Sequence, residues 1–119
     1  MSTVAGILVV DKPAGVTSHD VVAAMRRITG IRRIGHGGTL DPLATGVLPL
    51  LIGPATRMAE YFARWPKTYR FTIRLGQSTD TYDADGRVTR ERDPSGVTAA
   101  DIEAALPRFR GDILQCPPA

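Results

Sequence analysis

A chain of 119 residues with 43% hydrophobic and 23% charged side chains has the composition of an ordinary globular domain, and not of a disordered or fibrous protein. No run approaches the ~18 apolar residues of a spanning helix, the start "MSTVAGILVVDKP" lacks the basic region of a signal peptide, and a lone Cys116 excludes an internal disulfide or a cysteine metal cluster; the cytoplasm is the expected location. The formal net charge of +3 is unevenly spread, with ten Lys/Arg against four Asp/Glu in residues 1–74 and five against eight in residues 75–119. Most of the basic residues are Arg, whose planar fork suits phosphate, so the first part is a candidate for binding a polyanion; a solvated surface is the alternative.

In chain order, "GILVV" at residues 6–10 reads as a short buried strand closed by Pro13. Thr17 and Asp20 match a capping box, and Val21, Met25 and Ile28 then recur at helical spacing until Gly30 stops the pattern. Arg26, Arg27, Arg32 and Arg33 flank the end of this helix, where positive charge also suits the helix dipole. After a glycine-rich stretch, "VLPLLIG" reads as a buried strand in which Pro49 implies an edge or a bulge. "PATRMAEYFARW" predicts a helix with Pro54 at its first position, Met58, Tyr61, Phe62 and Trp65 facing a core, and Pro66 ending it. "TYRFTIRLG" alternates as a half-buried strand with Tyr69, Phe71, Ile73 and Leu75 on one face. A polar loop, "QSTDTYDADG", leads to a strand around residues 87–90, and Thr98 with Asp101 caps a helix through Leu106. "FRGDILQCPPA" begins like a strand and stops. Helices and strands mix without a βαβ cadence, which predicts an α+β fold.

Several common signatures fail. "GHGGTL" has Leu40 where a dinucleotide fingerprint needs its third glycine, and no GK[ST] follows anywhere. "TYDADG" lacks the first Asp and the final Glu of a calcium loop, His19 and His36 have no zinc-ligand spacing, and "GQSTD" is not a serine-hydrolase elbow. What remains is "GHGGTLDPLATG", residues 35–46, where four glycines surround one acid, Asp41. A carboxylate with an unperturbed pKa near ~4 is ionised at neutral pH and can act as nucleophile or base without an activating partner. The glycines admit a close ligand and Pro42 turns Asp41 toward an extended conformation. An Asp before Pro also commonly caps a turn, and local pattern leaves both readings open.

The segments "VVDKPAGVTSHDVV", "RRIGHGGTLDPLATGVLPLLIGPATR", "KTYRFTIRLGQSTDTYDADG" and "FRGDILQCPP" together resemble, in order and spacing, four motifs of the bacterial TruB family of tRNA pseudouridine synthases. The resemblance implies a pseudouridine synthase fold, a largely antiparallel mixed sheet flanked by helices. It implies isomerisation of uridine 55 in the T-arm of tRNA, with the target base flipped out of its stack. Asp41 would be the nucleophile that detaches uracil from ribose, through C6 of the base or C1′ of the sugar. His36 would contact RNA where the uridine leaves its stack. Tyr69 would pack against the flipped base, although its alternation alone predicts a core position. Lys12, Arg32 and Arg33 would be phosphate contacts. No cofactor and no metal are implied, and the full-length enzyme would be a monomer.

An isomerisation that breaks and remakes a glycosidic link needs one carboxylate as covalent catalyst, where a glycosidase needs two. A base held in a folded loop has to be extruded, which calls for an open approach and an aromatic platform. The resemblance also implies that residues 1–119 are the N-terminal part of a catalytic domain whose "YSA.K" block, arginine partner for Asp41 and C-terminal RNA-binding domain are not in this sequence. The expectation is a chain that is inactive or aggregation-prone alone. A non-catalytic RNA-binding module would tolerate Asp41→Asn, and a nucleoside-cleaving hydrolase would need a second acid near Asp41, with Asp20 and Asp80 the loosely placed candidates.

Overall fold

A computed structural model describes residues 4–118, so the first three residues of the segment read against a signal peptide lie outside the described residues. The chain divides into two compact units, Met1–Thr68 and Tyr69–Ala119, where its length suggests one.

In the first unit, strand β1 (Gly6–Lys12) is followed by helix α1 (Ser18–Thr29), strand β2 (Ile34–His36) and strand β3 (Gly46–Ile52), then a 3₁₀ turn at Gly53–Met58 and helix α2 (Ala59–Arg64). The three strands form an antiparallel sheet in the order β1-β3-β2. Helix α1 starts and stops where the sequence predicts. Thr17 and Asp20 exchange both capping-box hydrogen bonds, and Gly30 ends the helix in the left-handed region at φ 73°. Its Val22 packs with Ile34, Leu48 and Leu50 into the core, and Val10, Val21, Met25, Ile31, Leu40 and Ile52 pack around them. Ile28, at the same helical spacing as Val21 and Met25, lies beyond this cluster in the last turn and is exposed.

Three expectations need correction here. Strand β1 forms and runs to Lys12, but it is an edge strand, and Ile7, Leu8 and Val9 are exposed. Strand β3, in contrast, is central in spite of Pro49. The Pro49 carbonyl accepts a hydrogen bond from Gly37 N–H at 2.9 Å, on the β2 side. A residue's N–H and C=O point to the same side of a strand, so the donor that proline lacks would face β2 just past its last residue, His36, where the ladder ends. The proline sits at a local edge inside the sheet. The predicted "PATRMAEYFARW" helix is divided into the 3₁₀ turn and α2, and of its four apolar residues only Phe62 is buried; Met58, Tyr61 and Trp65 are exposed.

In the second unit, strands β4 (Gln77–Thr79) and β5 (Val88–Glu91) form an antiparallel hairpin, followed by helix α3 (Ala99–Ala105) and a 3₁₀ turn at Leu106–Phe109. The capping box of Thr98 and Asp101 forms as predicted. The predicted strand at residues 69–75 does not. That segment pairs with nothing among the described residues, and Tyr69, Phe71, Ile73 and Leu75 are all exposed. An alternating pattern becomes a strand only when a neighbour supplies the hydrogen bonds and a layer covers the apolar face. The strand-like start of "FRGDILQCPPA" likewise has no strand, and Leu114 is fully exposed. Among the described residues of this unit none is buried. Helices and antiparallel sheets together make the chain α+β, as predicted.

Candidate active site

The block at residues 35–46 is the connection from β2 to β3. At its start Gly37 is buried, and a Cβ there would lie 2.9 Å from both Cβ and Cγ of Phe62, so only glycine fits between β3 and α2. At its end Gly46 adopts φ 121° and pairs with Lys12, which opens β3. Both ends of the loop are therefore fixed to regular structure.

Its middle is held by the segment between β1 and α1. Leu40 N–H donates to Ser18 Oγ at 2.9 Å, and Ser18 Oγ–H donates to the Leu40 carbonyl at 3.2 Å. On the other side of Asp41, the Pro42 carbonyl accepts from Gly15 N–H at 2.7 Å and from Lys12 Nζ at 3.2 Å. Gly15 makes this bond from φ 89°, in a turn that a side chain would strain. Lys12 is fully buried and also donates to the carbonyls of Pro13 at 2.8 Å and Val16 at 2.7 Å. The three ammonium protons are thus committed to three carbonyls, which ties β1, the turn and the loop together. The expected phosphate contact by Lys12 has no free donor in this arrangement.

Asp41 stands between these anchors. Its main-chain carbonyl accepts from Ala44 N–H at 2.9 Å, so the backbone itself closes the turn. Among the described residues no hydrogen bond or salt bridge engages its carboxylate, and the residue is exposed. A side chain that capped the turn would accept one of its N–H groups; this one does not. The structure presents an accessible carboxylate on a backbone anchored one residue before and one residue after it.

His36, the last residue of β2, is half-buried. Its Nδ1 lies 2.9 Å from the Gly38 carbonyl. A carbonyl can only accept, so Nδ1 carries a proton, and in the neutral tautomer that this selects, Nε2 is the acceptor. Arg32 and Arg33 are exposed in the connection from α1 to β2; Arg33 Nε donates to Thr56 Oγ1 at 3.0 Å, and the Arg33 carbonyl accepts from Gly53 N–H at 2.7 Å. Arg26, read from sequence as a dipole partner, reaches further and donates through Nη2 to the Ile34 carbonyl at 3.0 Å. Tyr69 belongs to the second unit, where it is exposed in a segment without regular secondary structure. Gly15 and Ser18 were not candidates from sequence. Ser18 sits one residue past an N-cap, which reads as helix chemistry, and its partner is 22 residues away.

Residues 26–119 match the family model for the TruB family pseudouridylate synthase N-terminal domain. Among curated proteins, the tRNA pseudouridine synthase B of Solibacter usitatus is 52% identical over 96% of this chain and 39% of its own length. The protein of the same name from Rhodococcus jostii is 54% identical over 95% of the chain and 37% of its own length. A solved H/ACA ribonucleoprotein bound to a substrate RNA containing 2′-deoxyuridine aligns at 48% identity over 47% of this chain and 18% of that one, with a TM-score of 0.46. The chain belongs to the TruB family of pseudouridylate synthases, and it spans less than two-fifths of the length of these two curated relatives.

Proposed function

We propose that this chain supplies the nucleophile-bearing part of a tRNA pseudouridine synthase that converts uridine 55 of the T-arm to pseudouridine. The observation that carries the reading is Asp41, an exposed carboxylate with no partner among the described residues, on a loop anchored at Leu40 and Pro42. Family membership and relatives named tRNA pseudouridine synthase B support the reaction class. In this reading RNA binding extrudes the uridine, and the Asp41 carboxylate attacks at C6 of the base or C1′ of the ribose. The N1–C1′ bond breaks, the uracil turns while it stays bound, a C5–C1′ bond forms, and the bond from Asp41 to C6 or C1′ breaks to return the free carboxylate. The C5 proton leaves to solvent and N1 gains one, so atoms balance without a cofactor or metal. His36 Nε2 accepts a hydrogen bond from the RNA near the gap left by the flipped base, and the Tyr69 ring packs against that base. Arg32 and the Nη groups of Arg33 contact phosphate.

The isolated 119-residue chain is expected to be inactive, because no residue of its second unit is buried among those described and Tyr69 sits in an unpaired segment of it. The test is therefore made on a completed protein, this chain continued after Ala119 with the remaining sequence of the Solibacter usitatus relative. Release of tritium from C5-labelled uridine in a T-arm stem-loop is measured with and without Asp41→Asn. The proposal expects stem-loop binding to persist and tritium release to fall at least ~10³-fold. Tritium release that survives the substitution overturns it. Free uracil as the product would mark a hydrolase instead.

A further inference from the structure

Resting on Asp41 as the nucleophile, we propose that Ser18 is a positioning residue for its carboxylate: the Ser18 hydroxyl locks Leu40, and with it the backbone that enters Asp41. A hydroxyl is both donor and acceptor, and Ser18 uses both functions on one residue, accepting from Leu40 N–H at 2.9 Å and donating to the Leu40 carbonyl at 3.2 Å. The pair satisfies both main-chain polar groups of Leu40 as a strand partner would, without a strand.

Helix chemistry does not account for this hydroxyl. Ser18 opens α1, but the cap is already made by Thr17 and Asp20, which satisfy each other's backbone N–H groups at 2.9 Å each. The Ser18 hydroxyl points away from that cap, is buried with 3% of the residue exposed, and reaches across 22 residues of sequence. The Leu40 side chain packs at the margin of the core, so its backbone is held from the hydroxyl side and its side chain from the other. Asp41 follows directly. With Pro42 fixed by Gly15 and Lys12, the remaining freedom of the carboxylate is that of its own side chain. A nucleophile has to meet its target atom within a few tenths of an ångström, and a misplacement of about 1 Å can lower a rate about 10²-fold. Loss of the hydroxyl releases the loop on the Leu40 side only.

A buried hydroxyl that is merely structural would affect stability and leave turnover of the folded protein alone, which gives the test. In the completed protein described above, kcat and KM for tritium release are measured for Ser18→Ala and Ser18→Thr, with hydrogen exchange read at the Leu40 and Val22 amides. The expected result for Ser18→Ala is a kcat lower by about 10-fold to 100-fold, KM within about twofold, faster exchange at Leu40 and unchanged protection at Val22. Ser18→Thr, which keeps the hydroxyl, regains most of the lost kcat. If the alanine variant loses Val22 protection, Ser18→Cys replaces it, with the same expected loss of kcat from a thiol that bonds weakly. A parental kcat with Leu40 exchange increased overturns the inference, and so does unchanged exchange at Leu40. Activity that survives Asp41→Asn overturns the nucleophile reading and this inference together; a dead Asp41→Asn beside a parental Ser18→Ala overturns this inference alone.

Discussion

Replacing Lys12 by Met keeps the length of the stem and removes the ammonium. Three carbonyls then lose a donor: Pro13, Val16 and Pro42. Pro42 keeps the Gly15 N–H at 2.7 Å, which leaves two carbonyls whose described side-chain partner is gone. Each acceptor left without a partner costs about 1–3 kcal/mol where water does not replace the ammonium. Relief of the desolvation that a buried cation suffers returns part of this, so the net loss is about 2–4 kcal/mol. Against a total stability of about 5–15 kcal/mol for a small domain, that is a large fraction. The assay is urea unfolding followed by Trp65 fluorescence. Trp65 is the single tryptophan, it lies in the first unit, and its ring centroid is 4.4 Å from that of Phe62, so its signal reports the unit that holds Lys12. Lys12→Arg should also destabilise, because a larger guanidinium has to enter a site with no exposed surface. An unfolding free energy for Lys12→Met within about 0.5 kcal/mol of the parent would refute the reasoning, since the carbonyls would then be finding water.

Gly37→Ala places a Cβ 2.9 Å from the Cβ and Cγ of Phe62, atoms too close to their own backbone to swing aside, and should cost about 1–3 kcal/mol in the same urea titration. Leu50 is fully buried and its cross-strand partner Leu8 is half exposed, so Leu50→Ala should cost about 2–5 kcal/mol and Leu8→Ala clearly less; equal losses would show that β1 is covered in solution. Hydrogen bonds from the Thr17 backbone N–H and hydroxyl hold the Asp20 carboxyl below the usual carboxylate range. A carboxyl depressed in the folded state stabilises above its unfolded pKa and loses that contribution as pH falls through the folded value, so the effect lies below about pH 4. Thermal melts of the first unit should therefore decline on acidification below that pH, and Asp20→Asn should flatten the decline.

What could be read from the sequence was what is local. Both capping boxes close over three residues, Thr17 to Asp20 and Thr98 to Asp101, and each formed where its pattern placed it. Gly30 ended α1 for an equally local reason. Alternation at residues 69–75 needed a neighbour that the pattern could not supply, and no strand formed. Pro49 was read as an edge signal, and its missing donor does face the end of a ladder, but inside the central strand; the length of β2 decided that, and three residues carry little signal of their own. The site divides in the same way. Asp41 stood out because four glycines surround it, whereas the contacts that hold its loop span 22 residues to Ser18 and 30 to Lys12. Sequence shows which residues could bond but not which distant carbonyl is opposite.

The glycine-rich loop also reverses an inference that composition invites. Glycine lowers the cost of unusual backbone shapes and raises the entropy lost on ordering, so a cluster of glycines suggests mobility. Here Gly37 is the one residue that lets the loop pass Phe62, and Gly46 takes a positive φ that brings the chain into register with Lys12. Between them Leu40 and Pro42 are bonded to a segment that carries its own positive-φ turn at Gly15. The glycines thus encode close approach, and the motif "DKPAGVTS" supplies the polar groups that fix what they allow. Lys12 and Ser18 have to be buried for this, so the motif holds the loop from beneath while Asp41 remains exposed. Exposure usually comes with mobility, and the nucleophile proposed at Asp41 needs the first without the second. Anchoring the residues on either side of Asp41, and leaving its carboxylate unengaged, is a direct way to separate the two.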